Sequence, residues 1–216
     1  MGVSNVYKDS NEAPIGTFDY LDLATEQGYK KYYLALATTS TTTTKFLSPQ
    51  VISSDIGNPT YPPELSYGGN NVANALRYDY DYDLLFNTPQ YIKGNMFFNF
   101  TLSAIGTGGG QSGISSIVIN VYHVDGAGTE TLLGTLTGPM LTSSTATKIY
   151  RRCCMQVDIA DTHFRIGDKL RVNAQLWTQH SGVGNTIGGV YLDPTNIGVD
   201  SYDTDFFVFV PYKISL

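Results

Sequence analysis

The chain has few charged side chains, and basic ones are scarcest. Asp, Glu, Lys and Arg make up 15% of its 216 residues, against about 25% in typical soluble domains. The 13 Lys and Arg residues are outnumbered by 19 Asp and Glu residues, which gives a formal net charge of -6. A protein that binds nucleic acid needs a basic surface to contact phosphates. The composition therefore argues against a DNA or RNA partner.

Cysteines and long apolar runs are also scarce. The two cysteines, Cys153 and Cys154, are adjacent, and a disulfide between neighbours would connect no distant segments. We therefore expect reduced thiols, as is usual for a protein made in the cytoplasm. No segment approaches the ~18 consecutive apolar residues of a membrane span. Met1 is not followed by the basic start and apolar run of a signal peptide, so we expect neither a secretion signal nor a membrane partner.

What the chain does contain is a repeated alternation of apolar and polar residues. The clearest example follows a turn at Phe164 to Asp168, where apolar residues from Leu170 to Leu176 occupy every second position. Such a period of two predicts a strand with one buried face and one solvated face. Similar patterns predict about ten strands in all: Gly28 to Ala37, Lys45 to Ser53, Arg77 to Phe86, Gly94 to Ile105, Ile114 to Val124, Glu130 to Leu136, Lys148 to Ala160, Lys169 to Thr178, Gly188 to Leu192 and Asp205 to Ile214.

These strands, separated by Gly, Pro, Asn and Asp, predict an all-β fold. Antiparallel strands of this number with long connecting loops suit a β-sandwich of jelly-roll type. An immunoglobulin-like sandwich is the alternative, although it is normally smaller and has a Cys and Trp spacing that this chain lacks. The segment from Phe206 to Val210 is apolar on both faces, which predicts a central strand buried on both sides. The segment from Asp55 to Asn74 is rich in Pro and Gly and predicts a long loop.

The start of the chain differs from the rest. Phe18, Tyr20, Leu21 and Leu23 lie among acidic and small polar residues without a sustained period of two. We interpret residues 1–27 as a short N-terminal arm and residues 28–216 as one jelly-roll domain. The four apolar residues are candidate contacts to another protein. The alternative is a strand or loop that packs on its own domain.

No set of residues in the sequence has the spacing of a catalytic or cofactor site. Gly108, Gly110 and Gly113 match the dinucleotide-binding pattern by spacing, but a strand follows them where that motif requires a helix. We interpret them as a hairpin loop. Three histidines lie far apart with no characteristic partner: His123, His163 and His180. We therefore expect a protein that is not an enzyme and binds no cofactor.

The most unusual local pattern is the alternation from Arg77 to Asp83. On a strand it places three tyrosines on one face and Asp79, Asp81 and Asp83 on the other. Like charges about 7 Å apart repel one another, so the carboxylates need solvent, a cation or a basic partner. Calcium accepts such ligands, but the spacing matches no calcium motif, and we expect no metal site. The interpretations that remain are a solvated acidic face and a contact to Lys or Arg of a neighbouring subunit. A second acidic group has no calcium spacing either: Asp200, Asp203 and Asp205.

Aromatic residues are the basis of a second functional hypothesis. Trp177 and exposed tyrosines could stack against sugar rings, as the aromatic side chains of carbohydrate-binding modules do. The alternative is that these aromatic residues belong to the core or to a subunit interface, because alternation on strands already accounts for most of them.

Four stretches, taken in order, resemble those of jelly-roll virion proteins of tailed bacteriophages that coat or decorate the capsid. The similarity extends over roughly residues 28–216. It implies a non-enzymatic structural role, with many copies, often as trimers, held on a particle by contacts to the major capsid protein or other virion proteins. The stretches are Gly28 to Tyr33, Tyr82 to Gly94, His163 to Arg171 and Tyr191 to Pro194.

The sequence thus leads to one main hypothesis and one alternative. The main hypothesis is a capsid decoration or minor capsid protein that is assembled in the host cytoplasm, is located in the virion and forms a homo-oligomer. Its expected contacts to the capsid or to another subunit are Phe18, Tyr20, Leu21, Leu23, Asp79, Asp81 and Asp83. The alternative is a lectin-like module for host-surface recognition, with Trp177 or loop tyrosines in the sugar site.

Overall fold

The computed structural model describes residues 27–38, 43–50, 65–70, 74–106, 112–144, 147, 149–181, 183–191 and 206–213. Strands account for almost all of this part of the chain, and no helix within it is long and apolar enough to cross a membrane. The twelve strands are β1 (Gln27–Thr38), β2 (Thr43–Ser48), β3 (Leu65–Asn70), β4 (Ala75–Leu85), β5 (Gln90–Ile105), β6 (Ser112–Val124), β7 (Glu130–Thr137), β8 (Leu141–Ser143), β9 (Ile149–Phe164), β10 (Lys169–Ser181), β11 (Val183–Tyr191) and β12 (Phe207–Lys213).

The strands form two antiparallel groups, which confirms the predicted all-β sandwich of jelly-roll type. The first group has the order β3-β11-β5-β12-β1-β2, and the second has the order β4-β10-β6-β7. A single parallel bridge, Phe46 to Asp83, joins them. Strand β9 pairs with β5, and β8 pairs with β6. The long strand β5 organises the first group, because β9 follows one of its edges while β12 and β11 share the other.

The inner faces of the two groups form one hydrophobic core. Alternate residues of β5, from Met96 to Leu102, are completely buried, as the period of two predicted. Strand β6 buries Ile117 and Ile119 in the same cluster, and Gly138 lies close to both Ile117 and Phe100. Full burial of such side chains contributes roughly 1.5–3 kcal/mol each. The core therefore comes from the alternating strands that the sequence indicates most clearly.

Strand β12 differs in part from its prediction. It is central, between β1 and β5, and its residues Val208 and Val210 are completely buried. On its other face, Phe207 is buried at 8% exposure, whereas Phe209 is half-buried. The prediction of burial on both sides is therefore confirmed for Phe207 and wrong for Phe209. The Phe209 ring lies partly at the surface of the sandwich.

The predicted loop from Asp55 to Asn74 is also corrected in part. Within it, residues Leu65–Asn70 form β3, which pairs with β11 at the end of the first group. The sequence Leu-Ser-Tyr-Gly-Gly-Asn has no sustained alternation, so its strand conformation comes from its partner and not from its own pattern. Residues 55–64 and 71–73 of the predicted loop lie outside the described part of the chain.

Candidate functional site

The outer face of β4 and β10, called the polar face here, carries the three predicted aspartates. Asp83 accepts hydrogen bonds from Arg171 Nε at 2.7 Å and Nη2 at 2.8 Å, and from Lys169 Nζ at 3.3 Å. The pairing of β4 with β10 sets Arg171 directly opposite Asp83. The cations that the acidic stripe requires thus come from the neighbouring strand of the same chain.

Arg171 links this pair to two more carboxylates. Its Nη1 atom lies 3.2 Å from Asp81 Oδ2 and 2.6 Å from Glu130 Oε1. Partial burial alone would raise the pKa of the Asp83 carboxyl, but the hydrogen bonds and charge of Arg171, together with Lys169, outweigh it and hold that pKa below its ordinary value. Asp83 is therefore ionised at neutral pH.

Amide side chains continue the polar face across four strands. Asn173 donates hydrogen bonds to Asp79 Oδ1 at 2.5 Å and to Asp81 Oδ1 at 2.8 Å. Its own oxygen accepts one from Asn120 Nδ2 at 3.2 Å, and Asn120 Oδ1 accepts one from Thr135 at 2.9 Å. This ladder crosses β4, β10, β6 and β7, so most of the polar groups on this surface bind one another.

The tyrosines of β4 point into the sandwich. Tyr82 is completely buried, and Tyr78 and Tyr80 pack beside it as a ring pair with centroids 5.1 Å apart. Burial, with a smaller contribution from Tyr80, raises the pKa of Tyr78 to about 12. Trp177 is half-buried, and its indole N–H is enclosed without a hydrogen-bond partner among the described residues. These residues do not form an exposed aromatic platform for a sugar.

An aromatic surface does exist, but on the other group of strands. We define the aromatic face as Tyr29 and Tyr33 of β1, Phe97 of β5, and Phe207 and Phe209 of β12. The ring centroids of Tyr29 and Phe97 are 5.8 Å apart, those of Tyr33 and Phe207 are 6.3 Å apart, and those of Phe207 and Phe209 are 5.5 Å apart. These separations are in the range of favourable ring contacts.

Strand register assembles the aromatic face. Phe209 of β12 lies opposite both Phe97 and Lys31, and Phe207 lies opposite both Asn99 and Tyr33. The Lys31 ammonium sits 3.8 Å from the Phe207 ring centroid and 4.5 Å from that of Tyr33, an arrangement of the cation–π type. The Lys31 ammonium group thus lies over two of the aromatic rings of this face.

A shallow groove runs along the aromatic face. It is lined by Tyr29, Phe97, Asn99, Phe207 and Phe209, together with the exposed Cys154 of β9. Tyr29 is 43% exposed. Phe97 and Phe209 are half-buried, and Phe207 is buried at 8% exposure. A partly exposed apolar groove of this kind is a candidate for a protein–protein contact.

A third candidate site lies at one end of the sandwich, where two turns meet. Asp168 accepts hydrogen bonds from the backbone N–H groups of Arg165 at 2.8 Å and Gly126 at 3.1 Å, and its Oδ2 lies 2.8 Å from His123 Nε2. These partners, the Arg165 N–H first and then His123, hold the pKa of Asp168 below its ordinary value. Gly167 has a φ of 89°, which only glycine adopts at little cost. Asp168 therefore fixes the two turns to each other.

An open depression beside these turns brings together residues that are distant in sequence. His123 and His163 both line it, with Asp125 and Arg165. The exposed Tyr91 ring stacks on His163, with centroids 4.4 Å apart. The sequence analysis treated these histidines as scattered, and only the pairing of β5 with β9 and of β6 with β10 places them at the same end.

Several predicted residues lie outside the described part of the chain. They are Phe18, Tyr20, Leu21, Leu23, Asp200, Asp203 and Asp205. The side chain of His180 is likewise not described. Among the residues that are described, no three His, Cys, Asp or Glu side chains are grouped so that they could hold a metal ion.

No family model matches the chain, and no curated protein matches it. Solved structures do. A CocE/NonD family hydrolase from Staphylococcus aureus is 11% identical over 86% of this chain and 37% of its own, with a TM-score of 0.41. A chain in the structure of infectious bursal disease virus, Gx strain, is 8% identical over 84% of this chain and 41% of its own, with a TM-score of 0.33. A family 22 carbohydrate-binding module of Clostridium thermocellum gives 11% identity over 87% and 88%, with a TM-score of 0.23.

These similarities concern the fold alone. The chain spans little more than a third of the hydrolase chains that it matches. They nevertheless correct one expectation, that the protein is not an enzyme, because hydrolases are among the structures to which this chain is similar. The physical reason is that a sandwich is a scaffold, and activity depends on residues carried on it. The fold therefore gives no ground for excluding an enzyme.

Proposed function

We propose that the protein is a virion structural protein, a capsid decoration or minor capsid component of a tailed phage. The observation that carries this proposal is the aromatic face, where the exposed Tyr29 and the half-buried Phe97 and Phe209 line one groove. The resemblance of residues 28–216 to phage virion proteins supports the same interpretation. Binding to the particle would come from burial of apolar surface and repetition of copies.

The aromatic face is suited to contact with another protein because its rings gain most from removal of water. An aromatic side chain buries 150–250 Å² at roughly 25 cal/mol per Å², and aromatic residues are enriched at the centre of interfaces. Asn99 and Arg152 at its margin, joined by a hydrogen bond of 3.1 Å, supply polar groups of the kind found at an interface rim. Such a surface binds by shape and burial.

The contacts predicted from the sequence remain part of this proposal. Residues Phe18, Tyr20, Leu21 and Leu23 would contact the capsid or another subunit. Among the aspartates, Asp83 and Asp81 both already contact Arg171, so a contact to a neighbouring cation would use mainly Asp79, with the exposed Asp81 beside it. The polar face thus offers a weaker contact than the aromatic face.

Purified particles provide the test. The tagged full-length protein is produced during infection, particles are purified on a density gradient, and the bound copies are quantified by mass spectrometry. We expect the wild-type protein on particles and roughly tenfold less of a variant with Phe97→Ser and Tyr29→Ser. Gln175→Ser, on the polar face, is the matched control and should bind normally. Absence of the wild-type protein from particles would refute the proposal.

A carbohydrate-binding role is the second candidate, and the depression at the end of the sandwich favours it. The exposed Tyr91 ring, the adjacent His163 and the polar residues Asp125 and Arg165 combine a stacking surface with hydrogen-bonding groups, as sugar sites require. A glycan array with the wild-type protein and Tyr91→Ala tests it, with Trp177→Ala as the comparison. Sugar binding that is lost only with Tyr91→Ala supports this role, and no binding to any glycan contradicts it.

A further inference from the structure

The aromatic face lies next to the point where the described chain begins. Strand β1 starts at Gln27, and two residues later Tyr29 lines the groove. The apolar cluster of the preceding segment, Phe18 to Leu23, ends four residues before Gln27. An apolar groove and an apolar segment of the sequence thus occur close together along the chain.

We propose that residues 17–23 of one copy of the protein occupy the aromatic face of a second copy. This inference rests on the proposed function, in which the aromatic face contacts another protein. It identifies one such contact as the N-terminal arm of a second copy. The two remain separable, since copies can exchange arms whether or not they attach to a particle.

The dimensions of the segment and the surface agree. The four strands β9, β5, β12 and β1 span about 14 Å across, because neighbouring strands lie roughly 4.8 Å apart. An extended run from Phe18 to Leu23 covers about 17 Å at 3.3 Å per residue. The segment is therefore long enough to cross the whole aromatic face and cover its groove.

The sequence between the apolar cluster and β1 favours a second copy over the same copy. To cross its own aromatic face, the arm would have to turn sharply within Ala24, Thr25 and Glu26. None of these residues is Gly, Pro, Asn or Asp, which are the residues that make tight turns favourable. A chain that continues in the direction of β1 instead carries Phe18 about 30 Å beyond Gln27, away from its own sheet and within reach of a neighbour.

Charge is also complementary. Residues 17–26 contain Asp19, Asp22 and Glu26 and no Lys or Arg. The aromatic face has Lys31 at its centre and Arg152 at its margin. An acidic, aromatic segment therefore finds both rings and cations on this surface, whereas the polar face would offer it Asp79 and Asp81 and repel it.

Cys154 allows a direct test, because its exposed thiol lines the groove. The full-length Leu21→Cys variant is prepared in two isotopic forms, mixed, and exposed to oxidised glutathione, which accepts the two electrons and two protons released by each disulfide. We expect a disulfide between position 21 and Cys154 that joins peptides of different isotopic labels. A disulfide joining only peptides of the same label would overturn the proposal in favour of the arm's own copy.

A matched control places the target thiol on the other outer face. The variant Leu21→Cys with Cys154→Ser and Gln175→Cys keeps one arm thiol and one surface thiol, but moves the latter to the polar face. We expect at least roughly tenfold less disulfide in this variant. Equal yields in the two variants would mean random collision and would overturn the proposal.

The association itself gives a second readout without any cysteine chemistry. The molar mass of the wild-type protein, measured by light scattering over a dilution series, should exceed that of one chain. Replacement of Phe18 and Leu21 by Ser should raise the dissociation constant about tenfold or more, while Gln175→Ser, on the polar face, should leave it unchanged. A wild-type protein that stays monomeric at its highest soluble concentration would contradict arm exchange even if the protein is found on particles.

Discussion

The two outer faces of this sandwich differ in whether their side chains find partners within the same chain. On the polar face, Arg171, Asp83 and Asn173 bind one another and their neighbours, so most of the polar groups have partners within the chain. On the aromatic face, Phe97 and Phe209 lie side by side on paired strands. Both line a groove that the described residues leave uncovered. One face has its charges paired within the chain, and the other leaves a groove lined by aromatic rings among the described residues.

The comparison shows which kind of surface carries information about function. A face with paired charges gains little from a partner, because the partner would have to replace interactions that already exist. A face of exposed rings gains from any partner of the right shape. The sequence drew attention to the acidic stripe because alternating Asp and Tyr is unusual, yet the structure gives the aromatic face the stronger case for binding.

The largest effect on the free energy of unfolding is expected from substitution in a pair of neighbouring phenylalanines that point to opposite sides of β5. Phe98 is completely buried in the core, so Phe98→Ala should lower the free energy of unfolding by about 3–5 kcal/mol. Phe97 belongs to the aromatic face, and Phe97→Ala should lower it by no more than about 1–2 kcal/mol. Chemical denaturation at low protein concentration measures both. Equal losses would show that the aromatic face is already covered within the single chain.

This pair also shows what the sequence could predict. A period of two places Phe98 and Phe97 on opposite sides of a strand, and it identified the buried sides of β5, β6 and β10 correctly. It could not show which of two apolar sides of β12 faces the core, because Phe207 and Phe209 are as hydrophobic as their neighbours. The side of β12 that faces the core is decided by the position of the opposite group of strands, which the sequence of β12 does not contain.

Register was equally inaccessible from the sequence. Asp83 and Arg171 are 88 positions apart, and only the pairing of β4 with β10 brings them together. The same holds for His123 and His163, which line one depression only because β5 pairs with β9 and β6 pairs with β10. Alternation within a strand is local information, whereas the partners of a side chain depend on which strands are neighbours.

The next largest effect should come from the polar face. Arg171 holds Asp83 with two hydrogen bonds and also contacts Asp81 and Glu130. In a double-mutant cycle of Arg171→Met and Asp83→Asn, we expect a coupling free energy of about 1–2 kcal/mol. Urea denaturation is the suitable measurement, because it adds no salt. A coupling free energy near zero would show that Arg171 and Asp83 are solvated independently and that their ion pair does not stabilise the fold.

Acid should remove this contribution. The folded-state pKa of Asp83 is lowered, so its ionisation stabilises the fold above the ordinary Asp pKa of about 3.9, and this stabilisation is lost as the pH falls through the folded-state value. The difference in unfolding free energy between the wild-type protein and Asp83→Asn should therefore be constant from pH 7 to about pH 5 and shrink below about pH 4. A difference that persists undiminished under strongly acidic conditions would assign the effect to something other than charge.

The smallest effect is expected at the edge of the same polar face, and it separates paired carboxylates from unpaired ones. Asp79 accepts a hydrogen bond from Asn173, while the next two carboxylates on that face, Asp81 and Asp83, both contact Arg171. Asp79→Asn keeps an acceptor oxygen for Asn173 and removes one of three neighbouring negative charges. We expect the free energy of unfolding to change by less than about 0.5 kcal/mol, because the lost charge–amide interaction is offset by reduced repulsion. A loss as large as that of Asp83→Asn would mean that the three carboxylates act as one unit, and the polar face would then depend on its full charge and not on the Arg171 pair alone.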